Sequence, residues 1–305
     1  MAIVAIALLV VVPTALFAVG WWRWSALPTV DVASALSPRN GRVGTNYLVV
    51  GTDSREGIAA SDPNAAAFLA GEVAGARTDT ILVLHVEGSG ATITSIPRDL
   101  WVTDPATGQK GRINATFAKG PGNLIRAVTA LGIPVDHYFQ IDFVSFGHLV
   151  DSLGGITIDF AHPARDVHSG FGVDVAGPVR LDGVQALAYV RSRYYEEGID
   201  GKWRMDPTAD LGRTIRQRAF ADALLRKATS VRNPFVLFGL PGAIGAGFVH
   251  DSTFGYPDAV GFAWSMRDTD PEPVALPSVP RRTSGGADVL ELGPGSDAVI
   301  ASLAT

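Results

Sequence analysis

The hydrophobic pattern begins with an uncharged apolar run, Ala2 to Gly20, which is followed at once by three tryptophans, Trp21, Trp22 and Trp24. A helix needs about 20 apolar residues to cross a bilayer, and tryptophan favours the membrane–water interface. A cleaved signal peptide and a buried helix are the alternatives, but the run lacks a basic start and is apolar on all faces. We interpret residues 1–24 as a transmembrane signal anchor.

Short apolar runs bounded by turn residues predict the strands of a folded domain. The domain is predicted to begin near Thr45, after a linker over residues 25–44 that is rich in Pro, Ser and Gly. Strands are predicted over residues 46–51, 80–86, 91–96, 137–142, 156–160, 273–276 and 289–292. A hairpin turn is expected at 87–90, a surface excursion at 56–76 and a loop at 281–286.

Helical spacing and capping residues predict the remaining elements. Helices are expected over residues 123–131, 143–153, 182–193, 210–230, 234–247 and 256–267. Because strands and helices alternate irregularly, we expect a central mixed sheet with helices on both faces. The predicted fold is an α/β/α layered domain over residues 45–305, preceded by the transmembrane helix.

Composition narrows the classes of function. The chain has no cysteine, so disulfide bonds and a thiolate nucleophile are excluded. A formal net charge of −5 argues against general nucleic-acid binding. Most cations are arginine, whose planar fork suits bidentate phosphate contacts, although a GC-rich genome produces the same bias.

Charged residues gather at the ends of the first three predicted strands. Asp53 follows the first strand, Arg77 and Asp79 precede the second, and Arg98 and Asp99 follow the third. If the second strand is antiparallel to the other two, these groups share one edge of the sheet, where α/β folds place ligands. Two carboxylates there suit Mg²⁺, with Mn²⁺ as an alternative, and the arginines suit phosphate oxygens. Ordinary surface ion pairs are the competing explanation.

A second charged group lies further along the chain. Arg191 and Arg193 stand at the carboxyl end of a predicted helix, where cations also favour the negative end of the helix dipole. On the next predicted helix, Asp210, Arg213 and Gln217 share one stripe. This stripe suits a pyrophosphate clamp and equally a solvated helix face.

Seven segments together resemble the LytR-CpsA-Psr family of cell-wall ligases, in the family's order over residues 45–230. They are Gly51 to Arg55, Arg77 to Thr80, Ser95 to Asp99, Arg112 to Ala115, Val150 to Gly155, Tyr189 to Arg193 and Asp210 to Gln217. The resemblance implies an α/β/α fold with a hydrophobic cavity for a polyprenyl tail. An additional segment over residues 198–204 departs from the family pattern.

The resemblance also implies roles for individual residues. By this likeness, Asp53 and Asp79 coordinate Mg²⁺. Contacts to the substrate pyrophosphate are implied for Arg77, Arg98, Arg191, Arg193, Arg213 and Gln217. Phosphoryl transfer is mostly positioning and charge stabilisation, which makes Arg77 and Arg98 candidate catalytic residues. Asp99 is the candidate general base, because no histidine falls within the motifs.

The activity implied by the resemblance is transfer of a glycopolymer phosphate from a polyprenyl pyrophosphate lipid to the muramic acid C6 hydroxyl of peptidoglycan. The Ala- and Arg-rich composition indicates an actinobacterial member, with arabinogalactan or a teichoic-acid-like polymer as cargo. The expected location is the cell membrane, single-pass, with the catalytic domain outside the cytoplasm. The expected partners are the lipid-linked polymer, peptidoglycan and the membrane, and not nucleic acid. A lipid pyrophosphate phosphatase and a non-catalytic envelope regulator are the alternatives.

Overall fold

A computed structural model describes residues 17–52, 78–207, 210–230, 242, 245–266 and 269–305. The strands, numbered in chain order, are β1 (Thr29–Val30), β2 (Thr45–Thr52), β3 (Thr78–Glu87), β4 (Gly90–Ser95), β5 (Trp101–Thr103), β6 (Lys110–Arg112), β7 (His137–Asp142), β8 (Ile156–Phe160), β9 (Ala164–Asp166), β10 (Phe171–Val173), β11 (Gly177–Leu181), β12 (Glu196–Ile199), β13 (Lys202–Met205), β14 (Phe248–Asp251), β15 (Glu272–Ala275), β16 (Ser278–Arg282) and β17 (Asp288–Leu292). The helices are α1 (Ile113–Thr116), α2 (Pro121–Ala130), α3 (Phe143–Ser152), α4 (Gly183–Arg191), α5 (Asp210–Thr229), α6 (Tyr256–Ser265) and α7 (Ser296–Ser302). Residues 17–25 are also helical.

The central sheet contains seven strands in the order β1-β14-β7-β2-β3-β4-β15. β3 is antiparallel to both β2 and β4, as predicted, whereas β7 is parallel to β2. The register pairs Thr52 with Thr78 and with Asp142, and Leu82 with Ser95. The ends of β2, β4 and β7 and the start of β3 therefore meet at one edge of the sheet, called the site edge below.

Both faces of the central sheet are buried. Along β2, Leu48 and Val50 belong to a core that includes residues of α2. Tyr47 belongs to a second core, with Phe254 just before α6 and Met266 just after it. Strands buried on both faces carry near-continuous apolar runs, which is why the sequence of β2 and β3 lacks polar alternation. The predicted central sheet with helices on both faces is confirmed for the part of the chain that the structure describes.

A third core lies beside the sheet and supports the helix that ends at Arg191. It is formed by strands β8 to β11 and helices α3, α4 and α5 around Phe160, Phe171, Tyr189 and Phe220. Helices α3 and α4 pack so closely that a Cβ at Gly183 would lie 2.3 Å from a backbone oxygen of Gly147. Glycine at 183 is therefore required for this approach.

The structure corrects the predicted linker over residues 25–44. Thr29–Val30 pairs in parallel with β14 and forms one edge of the central sheet. Val32 and Ala35 are buried in the core that contains α2. The folded domain therefore begins well before Thr45. A two-residue strand followed by a 3-10 turn is too short to produce a recognisable hydrophobic period.

A second correction concerns the first two residues of the predicted loop at 281–286, whereas residues 283–286 form a loop as predicted. Ser278–Arg282 is a strand, β16, that pairs antiparallel with β17. Its side chains are largely exposed, so it carries no apolar alternation. The predicted helix over 234–247 and the surface excursion over 56–76 lie mainly outside the described residues.

Most of the predicted anchor, residues 1–16, also lies outside the described residues. Among the residues that are described, no helix is long and apolar enough to cross a membrane. The helical residues 17–25 pack against the domain, where Phe17 and Trp21 contact the ring of Tyr256 edge-on.

Candidate active site

A β-bulge marks the site edge where β2 meets β3. Gly51 pairs with Thr80 and Thr52 pairs with Thr78, so Asp79 is an extra, unpaired residue of β3. Bulges are frequent next to active sites, where they change the direction of the chain. At Asp79 only the backbone is described, and Asp53 and Arg77, the neighbours in sequence of Thr52 and Thr78, lie outside the described residues.

Arg98 and Asp99 follow β4 at the same edge and form a partly exposed ion-pair group. The carboxylate of Asp99 lies 3.5 Å from Nε of Arg98 and 3.3 Å from Nε of Arg112. The backbone N–H of Asn114 donates to the Arg98 carbonyl at 3.1 Å, and Ile113 donates to Leu100 at 2.8 Å. The segment from Arg112 to Ala115 therefore supports the loop that carries Arg98.

Asp142 is a further carboxylate at this edge, beyond Asp53, Asp79 and Asp99, and sequence reasoning missed it. It is buried, and its Oδ1 accepts a hydrogen bond of 2.8 Å from the backbone N–H of Ser145, which caps α3. A Cβ at Gly247 would lie 1.9 Å from the Asp142 carboxylate, so a larger residue at position 247 would displace that carboxylate. An Asp immediately before a helical pattern is an N-cap signal, and this signal was available in the sequence.

Arg191 reaches the site edge from α4. Its Cζ lies 5.0 Å from the ring centroid of Phe143, the residue next to Asp142. The structure therefore brings the end of α4 to the place where β7 ends beside β2. A cleft of about 270 Å³ opens between Arg191, the rest of α4 and residues 167–170. This is below the roughly 300–1,000 Å³ of ordinary ligand pockets, so the predicted lipid cavity stays a prediction.

The helix that carries Arg191 has firm boundaries. Asp182 caps it as predicted, by accepting from the backbone N–H of Gln185 at 2.8 Å in a capping box. Asp151 also accepts from the N–H of Gly183 at 2.7 Å. The helix ends at Arg191, two residues before the predicted end at Arg193, because Ser192 turns the chain away.

Asp166 holds the chain beyond α4. Its Oδ2 accepts from the Ser192 hydroxyl at 2.7 Å and from the backbone N–H groups of Arg193 and Tyr194 at 2.9 Å. Its Oδ1 accepts from the N–H groups of His168 and Ser169. Burial alone would raise the pKa of Asp166, but these hydrogen bonds outweigh burial and hold the pKa below its ordinary value. No local sequence signal distinguishes Asp166 from other strand-end aspartates.

Helix α5 fixes the same segment from the other side. Arg216 is buried, and its guanidinium donates to Asp206 at 2.7 Å and to the Ser192 carbonyl at 3.0 Å. It also stacks over the ring of Tyr195 at 4.3 Å. The Gln217 amide donates to the Val190 carbonyl at 3.1 Å. These contacts satisfy carbonyls at the end of α4 that would otherwise lack a partner.

The predicted pyrophosphate residues are thus brought together only in part. Arg98 and Arg191 both lie at the site edge, and Arg193 follows on an exposed turn. Gln217 contacts the backbone of α4, and Arg213 is described by its backbone alone. Among the side chains that are described, no three His, Asp or Glu residues come together as a metal site. The roles of all these residues, and the Mg²⁺ site, stay predictions.

The fold and these contacts define an α/β protein with a mixed sheet and an arginine-rich site at one sheet edge. The chain belongs to the LytR_cpsA_psr family, whose model matches residues 28–290. The family suggested by the sequence motifs is therefore confirmed.

Curated relatives from Corynebacterium glutamicum are similar to this chain. "Probable cell wall biosynthesis protein LcpB" is 37% identical over 73% of this chain and 51% of its own length. "Cell wall biosynthesis protein LcpA" is 29% identical over 77% of this chain and 50% of its own length. A "polyisoprenyl-teichoic acid--peptidoglycan teichoic acid transferase TagU" from Enterococcus faecalis is 30% identical over 53% of this chain and 51% of its own length. The chain spans about half the length of these relatives.

Solved structures support the fold. A LytR-Csp2A-Psr enzyme from Actinomyces oris superposes with a TM-score of 0.71 at 27% identity, covering 91% of this chain and 95% of that chain. A structure described as "TagT bound to LI-WTA" gives a TM-score of 0.62 at 21% identity, covering 86% of this chain and 90% of that chain. At this identity the similarity supports the fold and nothing more specific. The α/β fold and the actinobacterial relationship are confirmed.

Proposed function

We propose that this protein is a phosphotransferase that moves a glycopolymer phosphate from a polyprenyl pyrophosphate lipid to the muramic acid C6 hydroxyl of peptidoglycan. The observation that supports the proposal is that Arg98 and Arg191 come from elements at the same end of the central sheet. Arg191 lies against Phe143 at the end of β7, and Arg98 follows β4 at the same end of the sheet. The names of the similar cell-wall biosynthesis proteins and teichoic acid transferases support the same class of reaction.

The reaction needs stabilisation of charge on the leaving group. The acceptor hydroxyl attacks the phosphorus that carries the glycopolymer, and the bond from that phosphorus to the bridging oxygen breaks. Polyprenyl phosphate leaves with the electrons of that bond, so negative charge grows on the bridging oxygen. Arg77, Arg98, Arg191, Arg193 and Arg213, with the amide of Gln217, are the proposed contacts for this charge.

The proton of the acceptor hydroxyl must move to a base. Asp99 is the proposed base, and its side chain is 36% exposed, which leaves it accessible to an acceptor. Its ion pairs with Arg98 and Arg112 hold it in place at the site edge. Arg98 also keeps the carboxylate next to the phosphate groups that Arg98 is proposed to bind.

Asp53 and Asp79 are the residues proposed to hold Mg²⁺, or Mn²⁺. Two carboxylates fit Mg²⁺, which usually binds one or two carboxylates together with substrate phosphates and water. The bulge at Asp79 and a buried Thr52 hydroxyl that lacks a hydrogen-bond partner among the described residues fit a site completed by a polar ligand. When bound, the ion would neutralise charge on the pyrophosphate.

We further propose that residues 1–24 anchor the protein in the cell membrane and that the domain lies outside the cytoplasm. The uncharged run and its tryptophan border support this location. The cargo is proposed to be arabinogalactan or a teichoic-acid-like polymer. Protease treatment of intact spheroplasts tests the location: a domain fully protected from external protease would exclude it.

The reaction is tested with the full chain in lipid vesicles. A polyprenyl pyrophosphate that carries a labelled glycan is the donor, and purified peptidoglycan is the acceptor. We expect labelled glycan to become covalently bound to peptidoglycan and to be released by a muramidase. Release of free glycan phosphate with no labelled peptidoglycan would identify a lipid pyrophosphatase. If the wild-type protein does not consume the donor, a non-catalytic envelope regulator is favoured. The Asp53→Ala variant serves as the inactive control.

A further inference from the structure

An exposed apolar surface joins two segments that are far apart in sequence. Trp22 and Trp264 are 70% and 72% exposed, and Trp21 and Val260 are also exposed. On α6, Val260 and Trp264 follow Tyr256 at intervals of four residues and therefore continue one helix stripe. The start of that stripe, Tyr256, is buried under the helical residues 17–25. The two segments meet at Tyr256, and their exposed side chains are together called the tryptophan surface.

The N-terminal segment is docked firmly on the domain. The ring of Phe17 lies 5.0 Å from that of Tyr256, and the ring of Trp21 lies 6.4 Å from it. A Cβ at Gly20 would lie 2.0 Å from the Tyr256 hydroxyl oxygen, so a larger residue at position 20 would displace the Tyr256 ring. Trp24 lies 4.7 Å from the ring of His250. Because of these contacts, the position of residues 17–24 fixes the position of α6.

We propose that the tryptophan surface lies on the lipid bilayer, so that the domain is held against the membrane and does not swing on a tether. This inference rests on the proposed anchor. The apolar run that begins at Ala2 continues directly into Phe17 to Trp22, so insertion of the run brings these residues to the bilayer interface. The contacts with Tyr256 then carry Val260 and Trp264 to the same interface.

The chemistry of the surface fits lipid. Tryptophan is enriched at membrane–water interfaces, and soluble proteins rarely expose contiguous apolar surfaces of large size. Exposed Arg23, beside Trp22, supplies a cation for lipid phosphates. The charged residue of α6, Asp258, lies off the stripe and accepts from the backbone N–H of Gly255 at 2.8 Å. A second copy of the chain is the competing occupant.

The absence of native cysteines permits a direct test. Val260→Cys and, as a matched control, Val175→Cys are each labelled with an environment-sensitive fluorophore. Val175 is also an exposed valine, 59% exposed, and it lies between β10 and β11, away from α6. The labelled full-length proteins are reconstituted in phosphatidylcholine–phosphatidylglycerol vesicles that contain a spin-labelled quencher lipid.

Because interfacial helices insert roughly 5–10 Å into the headgroup boundary, we expect the label at 260 to lose more than about half its fluorescence and the label at 175 to lose little. Trp22→Ser combined with Trp264→Ser is expected to reduce quenching at 260 while the protein stays in the vesicles. Equal quenching at both positions would overturn the proposed face. A label at 260 that is shielded equally in detergent and in vesicles, without quenching, would indicate a second copy and overturn the proposal.

The test separates this inference from the anchor on which it rests. A protein that resists alkaline extraction from vesicles but shows no quenching at 260 keeps the anchor and loses the docked surface. A protein that alkaline extraction removes from the vesicles loses the anchor and, with it, the docked surface. The transfer activity of the same vesicles is measured separately and decides the proposed reaction independently.

Discussion

The two arginine groups of the candidate site are held in different ways. The strand-end group of Arg98, Asp99 and Arg112 consists of partly exposed side chains that pair mainly with one another. The helix-end group is a backbone segment, residues 191–194, held by the buried side chains of Asp166 and Arg216. Exposed ion pairs typically contribute about 0–1 kcal/mol, whereas breaking a buried pair costs about 3–5 kcal/mol.

Because the two groups are held differently, substitutions in them should have different effects on activity and on stability. In the strand-end group the sheet register fixes the positions, so its side chains can be replaced with little cost to folding. In the helix-end group the same contacts that position Arg191 and Arg193 also hold α4 and α5 together. Substitutions in the first group should therefore affect activity alone, and substitutions of the supporting residues in the second should affect activity and stability together.

The largest effect is expected at the strand ends. Asp53→Ala and Asp79→Ala are each expected to abolish Mg²⁺-dependent release of polyprenyl phosphate, because each removes a proposed metal ligand. The melting temperature should stay close to that of the wild type. The exposed Asp174→Ala is the matched control and should keep full activity. Wild-type rates for both site variants in Mg²⁺ would contradict the metal assignment.

Arg191→Lys and Arg193→Lys test the role of the helix-end arginines. Lysine keeps the charge and the favourable interaction with the helix dipole but loses the bidentate fork. If the arginines stabilise the leaving phosphate, single-turnover release should fall by about 10²–10³ with little change in melting temperature. Arg126→Lys, an exposed arginine on α2, is the control. Near-normal rates for both variants would show that the arginines stabilise the end of the helix and do not contact the leaving phosphate.

Asp166→Asn tests the support of the helix-end group. The single oxygen of asparagine cannot satisfy both sets of donors, and each buried donor left without a partner costs about 1–3 kcal/mol. We expect a loss of about 3 kcal/mol in the free energy of unfolding and a rate lower by about 10- to 100-fold, through misplacement of Arg191. Asp174→Asn is the exposed control. A stable variant with a normal rate would show that Asp166 positions nothing.

The same variant has a pH signature. Because the folded pKa of Asp166 is lowered, its stabilisation is fully present above its unfolded pKa of about 3.9 and is lost as pH falls through the folded value. The difference in unfolding free energy between wild type and Asp166→Asn should therefore be constant near neutral pH and shrink below about pH 4. Denaturant unfolding at several pH values measures it. A difference that grows in acid would contradict the lowered pKa.

The smallest effect is expected for Gln217→Ala. Its amide donates to the Val190 carbonyl, and loss of one such bond costs about 1 kcal/mol, or a few degrees in melting temperature. The rate should fall less than for Arg191→Lys, because a neutral amide makes a weaker contact with phosphate than a charged guanidinium. A rate loss as large as that of Arg191→Lys, at unchanged stability, would contradict this ranking of the two contacts.

Five of the seven strands of the central sheet could be predicted from the sequence because local signals specify them, whereas β1 and β14 were missed. Strands β2, β3 and β4 are apolar runs that are rich in β-branched residues. The turn at 87–90 fixes the antiparallel pairing of β3 with β4. Because β3 and β4 are antiparallel, the charged residues before β3 and after β4 lie at the same edge of the sheet. Asp142 and the cap of α4 at Asp182 also had local signals, although only the second was used.

The rest depends on contacts between distant segments. Asp166 binds residues 192–194 only because β9 packs beside the end of α4, and a lone aspartate in a short strand gives no sign of this. Arg191 reaches Phe143 through the packing of α3 on α4, which needs glycine at position 183, where a Cβ would collide with the backbone of Gly147. Arg216, which lies next to the predicted stripe, could not be assigned to structure until its partner Asp206 was located.

The pairing of β1 with β14 has a practical consequence for recombinant production. A truncated form that starts at Thr45 would lose β1 and leave the polar backbone groups of β14 unpaired at a sheet edge. It would also remove Val32 and Ala35 from the core. Such exposed edges invite strand-to-strand aggregation. A shortened form intended for crystallisation should therefore keep the residues from about Leu27 onward, whose side chain is itself buried.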